Sequence, residues 1–203
     1  MKKDELIVFE DGEMELKVSF DLLKRIIYII LLVKIKGGTI MEFIFEKLGK
    51  EHKKEVVNIL NYYIENTTAA YRAEIVDEEF SFRFLEGVDV YSSYVMKTTE
   101  NKVIGFCILE PHKTISTFSE VAEVMYFVHN EYTGFGVGSL ALSKMEEEAR
   151  KIGIKKLLAD ISTENTKSIN FHIKNGFVEY GRLCDVGNKF GRKFGIVYLV
   201  KNL

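Results

Sequence analysis

Residues 129–138 read His129-Asn130-Glu131-Tyr132-Thr133-Gly134-Phe135-Gly136-Val137-Gly138. They follow an apolar, strand-like run at residues 121–128 and precede an amphipathic segment at residues 140–152. Glycines let a backbone approach a ligand closely and turn successive N–H groups toward it, and a helix that begins there adds the positive end of its dipole. The stretch therefore predicts a phosphate-binding loop between a strand and a helix.

The glycine spacing differs from that of two common nucleotide loops. A dinucleotide fingerprint needs Gly-x-Gly-x-x-Gly and an acidic residue about 20 positions further on, and a triphosphate loop ends in Gly-Lys-Ser/Thr. Neither pattern is present in this stretch. Glycine clusters also occur in ordinary turns, so the loop alone leaves a turn and a ligand site both open. The residues downstream decide between them.

Several further motifs follow the loop in a fixed order. The amphipathic segment ends at Gly153, a strand-like run follows at residues 156–161, and then come Asn165-Thr166-Lys167-Ser168 and Gly176-Phe177. This order resembles the acyl-CoA signature of the Gcn5-related N-acetyltransferase (GNAT) family. The resemblance implies acetyl-CoA as the cofactor and free CoA as a product. Thr133 stands where the family usually carries Gln or Arg, which removes one side-chain contact to the phosphates but no backbone donor.

Over residues 41–203 the chain resembles the phosphinothricin acetyltransferase subgroup of that family. The shared passages lie at residues 61–72, 122–128, 168–177 and 186–192. Members of the subgroup move an acetyl group from acetyl-CoA to the α-amine of a small amino acid or analogue. The resemblance thus implies an N-acetyltransferase for a small amino-acid-like amine. Two alternatives stay open: an acetyltransferase for another amine, and a catalytically idle module that only binds acyl-CoA.

The resemblance implies two catalytic side chains. Glu123 lies in an apolar run at the subgroup's Ala-Glu position, so we expect a desolvated carboxylate that acts as general base. A strand-end glutamate paired with a lysine is the structural alternative. His172 follows Ser168 by four residues on a short predicted helix, which places both on one helix face. A histidine that titrates near neutrality could assist proton transfer, whereas a lone histidine is more often structural.

The binding residues are also implied by the resemblance. A backbone N–H near Phe127 or Val128, where the central strand splays, would polarise the thioester carbonyl. The expected acetyl-CoA contacts are Phe127, Val128, Thr133, Gly134, Phe135, Gly136, Val137, Gly138, Ser139, Asn165 and Ser168. The expected acceptor contacts are Tyr71, Arg72, Lys113 and Phe118. Ile115 stands where the subgroup has an arginine, which weakens the case for a carboxylate-bearing acceptor.

Composition bounds the function class. The 203 residues carry a net charge of −2 with 47% hydrophobic content, which fits a folded domain and gives no basic surface for nucleic acid. The four histidines and two cysteines are scattered, so no metal site is expected. Both cysteines lack a partner motif, so we expect buried free thiols and a cytoplasmic protein.

The chain divides at residue 40 in this interpretation. Residues 1–40 form an N-terminal extension, with a predicted hairpin over residues 6–20 and an apolar helix over residues 22–35 that is too short to span a membrane. Residues 41–203 form the acetyltransferase domain. We expect an α/β (α+β) fold with a mixed, mostly antiparallel sheet flanked by helices. An apolar helix must be covered, and we expect a homodimer.

Overall fold

The computed structural model describes residues 5–8, 15–18, 30–34, 40–79 and 90–203. Its strands are β1 (Glu5–Val8), β2 (Glu15–Val18), β3 (Ile30–Lys34), β4 (Ile40–Lys47), β5 (Ser92–Thr98), β6 (Val103–Pro111), β7 (Val121–Val128), β8 (Lys156–Ser162), β9 (Val178–Lys189) and β10 (Arg192–Asn202). Its α-helices are α1 (Lys53–Asn66), α2 (Val137–Lys151) and α3 (Thr166–Lys174). Short 3-10 helices span Lys50–His52, Ser116–Phe118 and Asn130–Tyr132.

The N-terminal residues confirm one prediction and correct another. β1 and β2 pair antiparallel, from Glu5 opposite Val18 to Val8 opposite Glu15, as the predicted hairpin requires; residues 9–14 between them lie outside the described residues. The helix predicted over residues 22–35 is wrong for residues 30–34, which form β3 and pair with β4. Residues 22–29 lie outside the described residues. A short apolar run rich in Ile, Leu and Val suits a strand as well as a buried helix, and pairing with β4 decides for the strand.

Among the described residues, the main sheet has eight strands in the order β3-β4-β5-β6-β7-β8-β10-β9. Neighbouring strands are antiparallel except β7 and β8, which are parallel. This confirms the expected mixed, mostly antiparallel sheet. β3 lies before the predicted boundary at residue 40 but belongs to this sheet, and the boundary itself stays a prediction.

Helices cover both faces of the sheet. On one face, α2 packs through Leu140, Leu142 and Met145 onto side chains such as Ile104 and Leu157 in a large buried cluster. On the other face, α1 forms a second cluster with strands β5 and β6, to which it contributes Val56, Val57, Ile59, Leu60 and Ile64. The two clusters hold the sheet as a rigid layer between α1 and the pair α2 and α3.

The helices and strands after residue 40 follow the sequence patterns closely. α2 begins at Val137, three residues before its apolar periodicity does, because Gly136 with a φ of 78° turns the chain directly into the helix. α3 begins at Thr166 because the side chain of Asn165 accepts a hydrogen bond from the Ser168 N–H and caps it. Within the described residues, no helix combines the length and the apolar character that a bilayer crossing requires.

Candidate active site

The sheet opens between β7 and β8. These two strands pair at only three positions, the last being Glu123 opposite Leu158, whereas β7 continues to Val128. Residues 124–128 are therefore not paired with β8, and a cleft of about 1780 Å³ occupies the opening. Unpaired backbone groups of a strand are strong hydrogen-bonding groups, so this edge of β7 can bind a ligand.

The register of β7 shows which backbone groups face the cleft. The backbone N–H of His129 donates to the carbonyl of Ile104 at 2.7 Å. At the other end of β7, the backbone N–H of His112 donates to the carbonyl of Val121 at 3.3 Å. Because pairing alternates along an antiparallel ladder, the odd-numbered residues of β7 bond to β6 and the even-numbered residues face the opening. Of the two expected donors, Val128 is thus the one whose N–H faces the opening, whereas the N–H of Phe127 is directed to β6.

Tyr63 closes the α1 side of this strand end. Its hydroxyl donates to the carbonyl of Val128, and its ring packs 5.0 Å from the ring of Phe127. Burial, followed by the neighbouring Tyr62, raises the pKa of Tyr63 to about 12. A protonated Tyr63 therefore fixes the Val128 peptide and with it the direction of the N–H groups along the cleft.

The glycine loop lies at the end of β7. Gly134 and Gly136 have φ values of 85° and 78°, a left-handed conformation that only glycine adopts without strain. The first intrahelical bond runs from the Leu140 N–H to the Gly136 carbonyl at 3.1 Å, which leaves the preceding N–H groups of α2 free for a phosphate. A β-carbon on Gly138 would meet only the Phe171 ring, at 3.7 Å. The loop thus has the form that its sequence predicts.

Most of the predicted cofactor residues meet at the cleft. Those that line it are Phe127, Val128, Thr133, Gly134, Phe135, Gly136, Gly138, Ser139, Asn165 and Ser168. Val137 does not line it, since its side chain is 1% exposed and packs in the core. The Thr133 hydroxyl donates to the Asn130 carbonyl at 2.9 Å, so it braces the loop.

His172 is buried beside Tyr126. Its Nδ1 lies 2.7 Å from the Ser168 carbonyl, which requires a proton on Nδ1, and Nε2 therefore accepts a hydrogen bond from the Tyr126 hydroxyl. The two rings stack with centroids 5.5 Å apart. Burial lowers the pKa of His172 to about 4, so the imidazole is neutral at pH 7. The expectation that His172 titrates near neutrality is wrong, because its surroundings are apolar.

Glu123 has a histidine partner that the sequence did not indicate. His112 Nδ1 lies 2.6 Å from Glu123 Oε1, and Phe118 contacts the His112 ring edge to face at 6.0 Å. The Glu123 side chain is 34% exposed, so the carboxylate is partly rather than fully removed from solvent. It faces the α1 side of the sheet, like Met125 and Phe127, which pack against the second cluster.

The predicted acceptor residues separate into two groups. Tyr71 and Arg72 line the cleft, whereas Lys113 and Phe118 do not. The Tyr71 ring stacks on Phe194 at 5.8 Å, and its segment is held by Lys189. The ammonium of Lys189, which is 5% exposed, donates to the carbonyls of Thr67 and Ala70 at 2.8 and 2.7 Å.

Four residues of the site were not predicted from the sequence. Tyr126, His112, Lys189 and Asp160 acquire their partners only through the fold, over separations such as 46 residues for Tyr126 and His172 and 119 for Lys189 and Ala70. One signal was present: Asp160 interrupts an otherwise apolar strand, Leu157 to Ile161. Charges in such strands often mark functional positions.

Comparisons with known proteins agree with this geometry. The family model described as "Acetyltransferase (GNAT) family" matches residues 56–177. The chain is 27% identical to L-amino acid N-acyltransferase MnaT of Escherichia coli over 71% of this chain and 84% of that protein. It is also 27% identical to L-methionine sulfoximine/L-methionine sulfone acetyltransferase of Salmonella typhimurium, over 71% and 85%.

A solved structure shows the same fold with a bound cofactor. It is yncA from Salmonella typhimurium with acetyl-CoA, which matches at a TM-score of 0.70 and 25% identity over 79% of this chain and 94% of that chain. The residues matched by the family model include the glycine loop and the opening between β7 and β8. The chain therefore belongs to the acetyltransferase (GNAT) family and is an N-acetyltransferase that uses acetyl-CoA.

Proposed function

We propose that the enzyme acetylates the primary amine of a small amino-acid-like acceptor by direct attack on acetyl-CoA in a ternary complex. The observation that carries the proposal is the opening between β7 and β8, which has the glycine loop at one end and Glu123 at the other. The names of the two relatives, an L-amino acid N-acyltransferase and a methionine sulfoximine/sulfone acetyltransferase, support the acceptor class.

The binding residues of acetyl-CoA fit the cleft. The diphosphate would lie on the N–H groups of residues 134–139, where the loop and the start of α2 offer donors without a competing carboxylate side chain. The pantetheine would follow the unpaired edge of β7, toward Asn165 and Ser168. When bound, acetyl-CoA supplies the activated acetyl group.

The side chains divide the proton transfers between the two faces of the sheet. On the α1 face, Glu123 accepts the proton that the attacking amine loses. With acetyl-CoA bound, the Val128 N–H would donate to the oxygen of the thioester carbonyl. On the α2 and α3 face, neutral His172 orients the Tyr126 hydroxyl, which would give a proton to the CoA sulfur as the acetyl group leaves it. Tyr126 would then regain a proton from solvent, to which Glu123 releases the proton taken from the amine.

Release of free CoA thiol from acetyl-CoA tests the function. Candidate acceptors are methionine sulfone, methionine sulfoximine, phosphinothricin and the common amino acids, with acetyl-CoA binding measured separately by calorimetry. Turnover with any of these supports the proposal. Binding of acetyl-CoA without turnover on any amine would instead identify an idle acyl-CoA-binding module.

We further propose that the enzyme is a homodimer. β9 is the last strand of the sheet order, and it exposes apolar side chains along its length, including Val178, Leu183 and Val186. Exposed apolar side chains in a row often mark an interface. Light scattering after size-exclusion chromatography should give twice the monomer mass, and a monomer mass would contradict the proposal.

A cytoplasmic location is proposed from the cysteines. Cys107 is buried, and Cys184, against expectation, is exposed; both are free thiols. An exposed thiol persists in a reducing compartment.

A further inference from the structure

Asp160 lies on the α1 face of β8, on the acceptor side of the opening. Its strand neighbours Leu157, Ala159 and Ile161 belong to the cluster beneath α2, so Leu158 and Asp160 point to the opposite face. Leu158 is the register partner of Glu123. Asp160, two residues after Leu158 in β8, therefore lies on the same face of the sheet as the proposed base Glu123. It also lies beyond the point where β7 and β8 separate.

Phenolic side chains surround this carboxylate. Tyr198 is its register partner in β10, and the Tyr180 ring lies 5.9 Å from that of Tyr198. The Asp160 carboxylate lies close enough to the Tyr71 hydroxyl to influence its ionisation: burial first, and then Asp160, raise the pKa of Tyr71 well above its usual range. A protonated phenol can donate to a carboxylate oxygen but does not neutralise its charge.

Among the described residues, no Lys, Arg or His forms an ion pair with Asp160. This distinguishes it from Glu123, which pairs with His112, and from Glu164, which pairs with Arg192. Asp160 is exposed and lines the cleft. A carboxylate in a substrate cleft that has phenols nearby and no ion-pair partner among the described residues attracts a cation, since phenols solvate ammonium groups through their oxygen atoms and ring faces.

We propose that Asp160 determines acceptor specificity by binding a second positively charged group, so the acceptor is a diamine or a basic amino acid. The inference rests on the proposed function. Glu123 serves the amine that reacts, and Asp160 with Tyr71 binds the ammonium that does not. An acceptor with an anionic side group, such as a phosphinate, would be repelled by the same carboxylate.

The test uses two matched acceptor pairs that differ by one terminal ammonium group: lysine against norleucine, and 1,5-diaminopentane against pentylamine. Each is assayed by CoA release with the wild-type enzyme, Asp160→Asn, and Asp185→Asn as a control. Asp185 is exposed and outside the cleft, so the control removes the same charge elsewhere. Unchanged acetyl-CoA affinity in all three proteins verifies their fold.

We expect the wild-type enzyme and Asp185→Asn to favour the cationic member of each pair in kcat/KM by about tenfold or more, the size of one charge-assisted hydrogen bond. In Asp160→Asn the preference should nearly disappear, through KM rather than kcat. The inference is overturned if the wild-type enzyme shows no preference for the cationic acceptors, or if Asp160→Asn keeps that preference. In either case, turnover of neutral amino acids would leave the proposed function intact. Acetyl-CoA binding without turnover of any amine overturns both.

Discussion

The burial of neutral His172 should make the folded state sensitive to acid. Its pKa lies at about 4 in the folded protein against an ordinary value of 6.5. Between these values the unfolded chain binds a proton at this position and the folded chain does not, so the free energy of unfolding falls as pH falls from 6.5 to 4. At about 1.4 kcal/mol per pKa unit, the full loss is about 3 kcal/mol, of which about 2 kcal/mol has occurred at pH 5.

Urea unfolding followed by far-ultraviolet circular dichroism measures this loss, because the chain has no tryptophan to report by fluorescence. The wild-type protein, His172→Gln and the control His129→Gln are compared at pH 7, 5 and 4. His129 is partly exposed, and its variant controls for the removal of a histidine elsewhere in the chain. The wild type should lose about 3 kcal/mol more than His172→Gln between pH 7 and 4. Equal losses in these two proteins would refute the assignment of a buried neutral imidazole.

Three other substitutions test the cleft and its supports. Gly136→Glu should abolish acetyl-CoA binding in calorimetry. The control Gly153→Glu should retain binding, because Gly153 has a similar φ of 83° but lies outside the cleft. Binding by both variants would show that the glycine loop does not bind acetyl-CoA. Glu123→Gln should lower kcat by about 10²-fold or more without weaker acetyl-CoA binding, and the exposed Glu120→Gln should not; an unchanged kcat would exclude Glu123 as base. Lys189→Met should leave two carbonyls unsatisfied and cost about 2 kcal/mol in urea unfolding, with a raised KM for the acceptor; no change in either would show that the ammonium bonds contribute little.

Much of the fold after residue 40 could be predicted because each helix and strand shows its own periodicity. The buried positions of α1 and the glycines before α2 are local signals. The helix predicted over residues 22–35 is wrong at residues 30–34 because no local pattern indicates that this run pairs with β4. Pairing partners are decided by the whole sheet, and a short apolar run is compatible with either structure.

The candidate site was predictable in position and less so in chemistry. The loop and the places of Glu123 and His172 followed from motif order, and both side chains line the cleft. The environments of these side chains could not be predicted from motif order. The neutral state of His172 depends on its burial against Phe177 and on its hydrogen bond with Tyr126. The same holds for Glu123, whose partner His112 is brought across by the antiparallel pairing of β6 and β7.

The opening between β7 and β8 has a kinetic consequence. In the proposed arrangement, the glycine loop and α3 bind the cofactor from one face of the sheet and Glu123 and Asp160 bind the acceptor from the other, so neither substrate has to pass the other on its way in. We expect random-order binding, with an acceptor analogue acting as a mixed rather than competitive inhibitor against acetyl-CoA. A compound that joins a CoA-like part to an amine through the opening would combine both affinities in one molecule.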